Sequence, residues 1–380
     1  MHRFRGLNLT LKVGFPLSVI VLIFIFVRTD INVKYLMDIY TDFNLEEKIK
    51  ECGMSVCTPC QLLENEQRVD SFNSYVDGSS QIFLDGKLPP ATLKEPEHFP
   101  ASGDDKIERI IHQSWKTKMV PMQFKDYIKS FVNNHPSWKY MFWTDHSTRL
   151  FISKHYPNLL SLYDNYAHPL NRPDALRYIV LFHFGGVYSD LDVESLRPLD
   201  PIIKKYSCVL GQEPHVHSIV YTNFYEQASN AFMACRKRHL FMKSVIDNLN
   251  QFAYFADVLD STGPRFLTFS LRQYNKKNKD LQVTENDYVY LAPPEYFLPS
   301  VDSEINKKLD LLCGGLKCLS PLRQWQCEQW KQEGVRTEPY PFSFTNHVWS
   351  HITYKNHFRF YNPTFNICVV SPAAMIYESA

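Results

Sequence analysis

From about residue 107 onward the chain alternates between two kinds of hydrophobic pattern. Short apolar runs at Arg109 to His112, Tyr140 to Trp143, Val187 to Asp190 and Cys208 to Gly211 read as strands. Longer stretches at Met122 to Asn133, Ser147 to His155, Pro173 to Phe184 and Leu240 to Phe252 carry helix-forming patterns between them. Strand followed by helix, repeated, predicts an α/β domain with a mostly parallel sheet covered by helices on both faces. Ligands of such sheets bind at the carboxyl ends of the strands.

The run from Asn171 to Asp200, NRPDALRYIVLFHFGGVYSDLDVESLRPLD, places chemistry on that framework. Pro173 suits the first turn of a helix, Ala175 to Phe184 is almost all apolar or helix-forming, and Gly185-Gly186 supplies the stop. Val187-Tyr188 then starts a short buried strand. Asp190 and Asp192 lie two apart, so they share a face of an extended strand or converge where the chain turns. Two adjacent carboxylates repel unless a cation joins them, and a hard ion with oxygen ligands, Mn²⁺ or Mg²⁺, fits that pair and leaves positions for substrate phosphates. Asp174 and Arg177 are spaced i, i+3 on the preceding helix and project from one face. A carboxylate beside a guanidinium can grip sugar hydroxyls. The plainer reading is a surface loop with a helix salt bridge, but these charges sit inside strongly apolar segments, where an unpaired ion costs several kcal/mol.

This order of Asp, Arg, Gly-Gly and Asp-x-Asp resembles the core of the DxD-motif glycosyltransferases of the family 32 type. That set includes mannosyl-inositol-phosphoceramide synthases, the initiating α-1,6-mannosyltransferase, and α-1,4-galactosyl- and N-acetylglucosaminyltransferases. The same order is similar to that of the clostridial glucosylating toxins. The resemblance continues in family order through IERIIHQSWKT at Ile107, WKYMFWTD at Trp138, SNAFMACRKRHLFMKSVIDNL at Ser229, STGPRFLT at Ser261 and NHVWSH at Asn346. It implies a GT-A type nucleotide-sugar-binding fold, a nucleotide sugar donor and retention of anomeric configuration. Carried over residue by residue, it implies that Asp174 and Arg177 hold the donor sugar, that Asp190 contacts ribose or a metal-bound water, and that Asp192 ligates the metal. Trp115 would stack on the base, and His347 and Trp349 would close over the diphosphate. Plainer readings stand beside these: Trp115 as a core aromatic, His347 and Trp349 as a packed pair, and Thr262-Gly263-Pro264 as a turn that carries no chemistry by itself.

Composition narrows the rest. A chain of 380 residues with 44% hydrophobic and 14% aromatic content can bury a large core, and a net charge of +1 leaves no nucleic-acid footprint. Residues 1–12 are basic and precede an apolar, charge-free run, Val13 to Val27. With 13–28 read as a signal anchor, the basic flank predicts a cytoplasmic amino terminus and a luminal body. A cleaved signal peptide is the rival reading, although no small-x-small site follows Val27. Residues 29–103 end in a proline-rich, polar tract and read as a luminal stem, which leaves 104–380 as the catalytic domain. Cys52, Cys57 and Cys60 lie in the stem, where a disulfide in an oxidising lumen is favoured over zinc, and Cys313, Cys318 and Cys327 form a second cluster. The expectation is a single-pass type II Golgi membrane protein that glycosylates a lipid or glycan. The run from Tyr166 to Pro201 looks closest to the mannosyl-inositol-phosphoceramide synthases, implying GDP-mannose and a sphingolipid acceptor. A UDP-galactose or UDP-N-acetylglucosamine enzyme is the alternative, and a catalytically silent binding protein on the same fold is a further one.

Overall fold

Alternation along the strands builds two cores, one on each face of a single sheet. Met141, Trp143, Tyr188, Leu210 and Met233 point to one side, and Tyr140, Phe142, Val187, Val209 and Phe232 to the other. Strands buried on both faces read as continuous apolar runs, as they do here. In the computed structural model the described residues are 97–217, 226–278, 284–305, 336–350 and 363–378, with short pieces between 308 and 332. The apolar run 13–27, the stem up to residue 96, and Cys52, Cys57, Cys60 and Cys318 lie outside the described residues. Among the described residues no helix is long and apolar enough to cross a membrane.

In chain order the elements are β1 (Ile110–Ser114), β2 (Met119–Pro121), α1 (Lys125–Asn134), β3 (Lys139–Trp143), α2 (Asp145–His155), α3 (Pro157–Asp164), α4 (Asn171–Phe184), β4 (Gly186–Ser189) and β5 (Val193–Ser195). There follow α5 (Asp200–Lys205), β6 (Cys208–Gln212), β7 (Ala228–Cys235), α6 (Leu240–Phe252), α7 (Val258–Ser261), α8 (Pro264–Asn278), β8 (Tyr290–Ala292), α9 (Pro294–Phe297), β9 (Thr345–His347), β10 (Thr364–Asn366), α10 (Ile367–Val370) and β11 (Met375–Ile376). The main sheet has the order β11-β3-β1-β4-β7-β6-β8. Every neighbouring pair is parallel except the two made by β7, which runs against both β4 and β6. The expected mostly parallel sheet is therefore present, with one reversed strand. Helices α4, α6 and α8 cover one face, and α1, α5 and α9 the other.

Gly185 and Gly186 reverse the chain between α4 and β4. Gly185 has φ 71° and donates its N–H to Leu181 as the helix ends. Gly186 has φ 104°, and a Cβ there would lie 2.5 Å from the carbonyl oxygen of Ile110. Only glycine lets β4 lie this close to β1. His112 of β1 fixes the same corner. Its Nε2–H donates to the Gly185 carbonyl at 2.9 Å, and its Nδ1 accepts from the Trp143 indole at 3.1 Å.

Two disulfides join described residues. Cys208–Cys235 links β6 to β7 at paired positions, and Cys313–Cys327 pairs two of the three late cysteines. At the amino-terminal side, Phe99 meets Tyr296 and Phe344 edge-on, and the Glu97 carboxylate accepts from Lys205, Tyr206 and Tyr290. Residues 97–103, the last of the expected stem, thus pack on the domain.

Burial lowers the pKa of His112 to about 4, with the Gly185 carbonyl opposing that shift. A proton on Nδ1 would also face the indole N–H. The unfolded value is about 6.5, so stability from neutral His112 is full above that pH and is lost as pH falls towards 4. Asp174 and Asp260, pushed up to about 6 by burial, act in the opposite sense. The denaturation midpoint of wild type is expected to drop more between pH 6.5 and 4 than that of His112→Gln. Equal drops would show that His112 does not titrate with folding.

Candidate active site

Helix α4 is buried nearly all round, so its charged groups must find partners inside the protein. Asp174 and Arg177, one turn apart, pair at 2.9 Å between Oδ1 and Nη2. Nη1 of Arg177 reaches Oδ2 of Asp190 at 3.2 Å, just past the end of β4, and donates to the carbonyl of Asn230 at 2.5 Å. The guanidinium lies over the Tyr188 ring, 4.7 Å from its centroid. Tyr188 in turn donates its hydroxyl to Oδ1 of Asp190 at 3.2 Å and meets Ser114 Oγ at 2.9 Å. Asp174 accepts further bonds from Asn230 Nδ2 at 3.0 Å and Thr262 Oγ1 at 3.1 Å. This is a buried network at the carboxyl ends of the strands, which excludes the surface-loop reading.

The chain turns directly after β4, with the Val193 N–H bonded to the Asp190 carbonyl. Asp192 sits on that turn and meets the carboxy-terminal segment instead of Arg177. Strands β5 and β9 pair antiparallel, with Val193 opposite His347. His347 Nε2 lies 3.1 Å from Asp192 Oδ1, while Ser350 donates to Oδ2 from its backbone N–H at 3.0 Å and from Oγ at 2.8 Å. The Val348 N–H bonds the Asp192 carbonyl. Trp349 adopts φ 51°, lies against His347 with centroids 4.0 Å apart and ring planes tilted by 44°, and donates its indole N–H to the Ser300 carbonyl at 2.7 Å. Trp115 follows the last residue of β1, half-buried, with its ring edge-on to Phe124. It stands at the same end of the sheet as Asp190, because β1 and β4 run parallel with His112 opposite Tyr188.

The charges of the site are strongly coupled. Burial pushes the Asp174 acid up to about 6 against the pull of Arg177, and burial likewise raises Asp190. Asp192 goes the other way: burial is outweighed by the charge and hydrogen bond of His347 and by both donors of Ser350, so its carboxyl is held well below the usual range. His347 is raised despite burial, chiefly by Asp192. Among the described residues no group of three or more His, Cys, Asp and Glu side chains stands at metal-binding spacing. The donor set still suits a hard divalent ion: two carboxylates bracket one turn, and the buried Nδ1 of His347 has no hydrogen-bond partner among the described residues. Such an ion would complete its shell with ligand oxygens, which is the habit of Mg²⁺ and Mn²⁺.

Several contributors were not singled out from the sequence. Thr262, read as a turn without chemistry, is corrected by its place in the Asp174 network, where it also accepts from Asn171. Asn230 and Tyr188 bind the same charges. Ser350 lies inside the NHVWSH run but carried no role. The basic run Arg236 to His239 follows the end of β7 that pairs with Gly186, at the far end of the sheet from Asp190.

Residues 121–209 match the family model described as a glycosyltransferase sugar-binding region containing the DXD motif. These residues thus carry a sugar-binding region of the DXD-motif glycosyltransferase type. It is 37% identical over 175 residues to inositol phosphoceramide mannosyltransferase 3 of Schizosaccharomyces pombe, covering 45% of this chain and 46% of that protein. It is 33% identical over 226 residues to a mannosyl phosphorylinositol ceramide synthase of Saccharomyces cerevisiae, covering 58% and 53%. An initiation-specific alpha-1,6-mannosyltransferase of Candida albicans matches at 28% over 122 residues, covering 30% and 32%. The chain spans about half the length of these curated relatives. Among solved structures, PaToxG glycosyltransferase aligns over 60% of this chain and 85% of its own at 16% identity and a TM-score of 0.35, too distant to bear on the argument.

Removing one partner from a buried ion pair strands the other, at a cost of about 3–5 kcal/mol. Arg177→Met should lose stability in that range by urea denaturation, because it leaves the buried Asp174 carboxylate and the part-buried Asp190 carboxylate without their shared cation. Arg177→Lys should lose clearly less. A wild-type midpoint for Arg177→Met would show that the cluster does not depend on the guanidinium.

Proposed function

We propose that this protein is a metal-dependent retaining glycosyltransferase that moves mannose from GDP-mannose to an inositol-phosphoceramide-like sphingolipid. The observation that carries the reading is the pair of Asp190 and Asp192 at the strand end, the first bound to the buried Asp174–Arg177 couple and the second to His347. The similar yeast proteins, an inositol phosphoceramide mannosyltransferase and a mannosyl phosphorylinositol ceramide synthase, support the choice of sugar and acceptor. Val13 to Val27 serves as a signal anchor, and the catalytic domain faces the Golgi lumen.

In this reading Trp115 carries the base, Arg177 and Asp174 orient the sugar hydroxyls, and His347 with Trp349 faces the diphosphate. Asp190 and Asp192 would hold Mn²⁺ or Mg²⁺, which would supply positive charge where negative charge develops on the departing diphosphate. The anomeric carbon's bond to phosphate oxygen breaks and a bond to the acceptor oxygen forms on the same face. The acceptor proton passes to the departing phosphate, so no side-chain nucleophile is required. Positioning within a closed site carries much of the rate.

The test is slow donor hydrolysis by the full chain in detergent with Mn²⁺, scored as GDP or UDP released from a panel of nucleotide sugars. GDP release from GDP-mannose is expected, and its loss in a folded Asp192→Ala variant. Release from a UDP-sugar alone would move the protein to the galactosyl or N-acetylglucosaminyl alternative. Full activity in Asp192→Ala would sink the metal assignment, and silence with every donor would favour a binding protein.

A further inference from the structure

Just past β6 lies a buried polar pair that the mechanism above does not use. His217 is fully buried, and Glu213 is almost so. Both ring nitrogens of His217 are engaged: Nε2 accepts from the Asp302 N–H at 3.0 Å, which leaves the proton on Nδ1, 3.3 Å from Glu213 Oε2. These two contacts set the plane of the imidazole. That ring meets Trp349 edge to face, with centroids 4.5 Å apart at 68°. His347 packs against the indole in a tilted contact with centroids 4.0 Å apart, and the Ser300 carbonyl accepts the indole N–H.

Trp349 needs such support. A bulky residue at φ 51° is in a conformation of sparse occupancy that persists only when its surroundings dictate it. The flanking contacts explain the backbone: Val348 and Ser350, on either side, both turn their N–H groups to Asp192. That arrangement fixes the main chain but not the attitude of the indole. His217, His347 and Ser300 do the latter.

We propose that His217, oriented by Glu213 and the Asp302 amide, is a positioning residue that holds the Trp349 indole in its binding attitude toward the nucleotide diphosphate. This rests on the reading that places Trp349 at the diphosphate. It predicts that changes at His217 alter nucleotide affinity only while Trp349 is present.

The experiment is calorimetric titration of the full chain with GDP and with UDP in the presence of Mn²⁺, on variants whose folding is checked by thermal unfolding. His217→Gln keeps polar groups but removes the ring, and His217→Phe keeps a ring but removes the hydrogen bonds. His217→Gln should weaken binding about tenfold, the upper end of what one aromatic contact is worth, and His217→Phe should weaken it less. In a Trp349→Ala background, His217→Gln should have no further effect. Glu213→Gln, which disturbs the ring without removing it, serves if His217→Gln does not fold; it should weaken binding, and do so only with Trp349 present. Wild-type affinity in the folded variant, or an equal loss with and without Trp349, overturns the proposal. If wild type binds neither nucleotide, the nucleotide-site reading falls, and this inference with it.

Discussion

The guanidinium of Arg177 is the constraint on which the site depends. It joins a helix, the strand end and a neighbouring strand through Asp174, Asp190 and the Asn230 carbonyl, all in a region with little water. Removed from solvent, that charge is tolerable only because two carboxylates and an aromatic face surround it. The carboxylates are equally dependent on it. Helix α4 can therefore be apolar round almost its whole circumference and still deliver two charges to one point.

A second coupling runs through Asp192. Its low pKa and the raised pKa of His347 are two views of one contact between the turn after β4 and the β9 segment. Because Asp190 also acts on His347, the two halves of the site share one electrostatic field. The neighbouring carboxylates do not simply repel: each has a basic side chain as partner, Arg177 for Asp190 and His347 for Asp192.

Much of this was legible from the residues, for reasons that differ by element. The strands β1, β3, β4 and β6 and the helices α1, α2, α4 and α6 announce themselves through apolar period and glycine stops, and they appear within a few residues of the expected bounds. Strand β7 did not: all eight of its residues are buried, but the polar Ser229 and Asn230 interrupt its apolar run, and a basic run follows it. Its antiparallel course was hidden for the same reason. In the site, Asp174 and Arg177 were readable as a helical i, i+3 pair. Thr262 was not, since a hydroxyl in a Thr-Gly-Pro turn looks the same whether it bonds water or a buried carboxylate about 90 residues away in sequence.

The bond between Ser350 and Asp192 spans 158 residues of sequence. A chain emerging from the ribosome in order can form the Arg177 network once β7 and Thr262 are out, well before β9 exists. Until then Asp192 carries neither its imidazole nor its serine donors, and the turn after β4 has no strand to pair with. Loop closure over such a distance comes late in folding. The Arg177 network is thus assembled first and the Asp192 contacts last, so an incompletely synthesised chain holds one half of the charged cluster without the other.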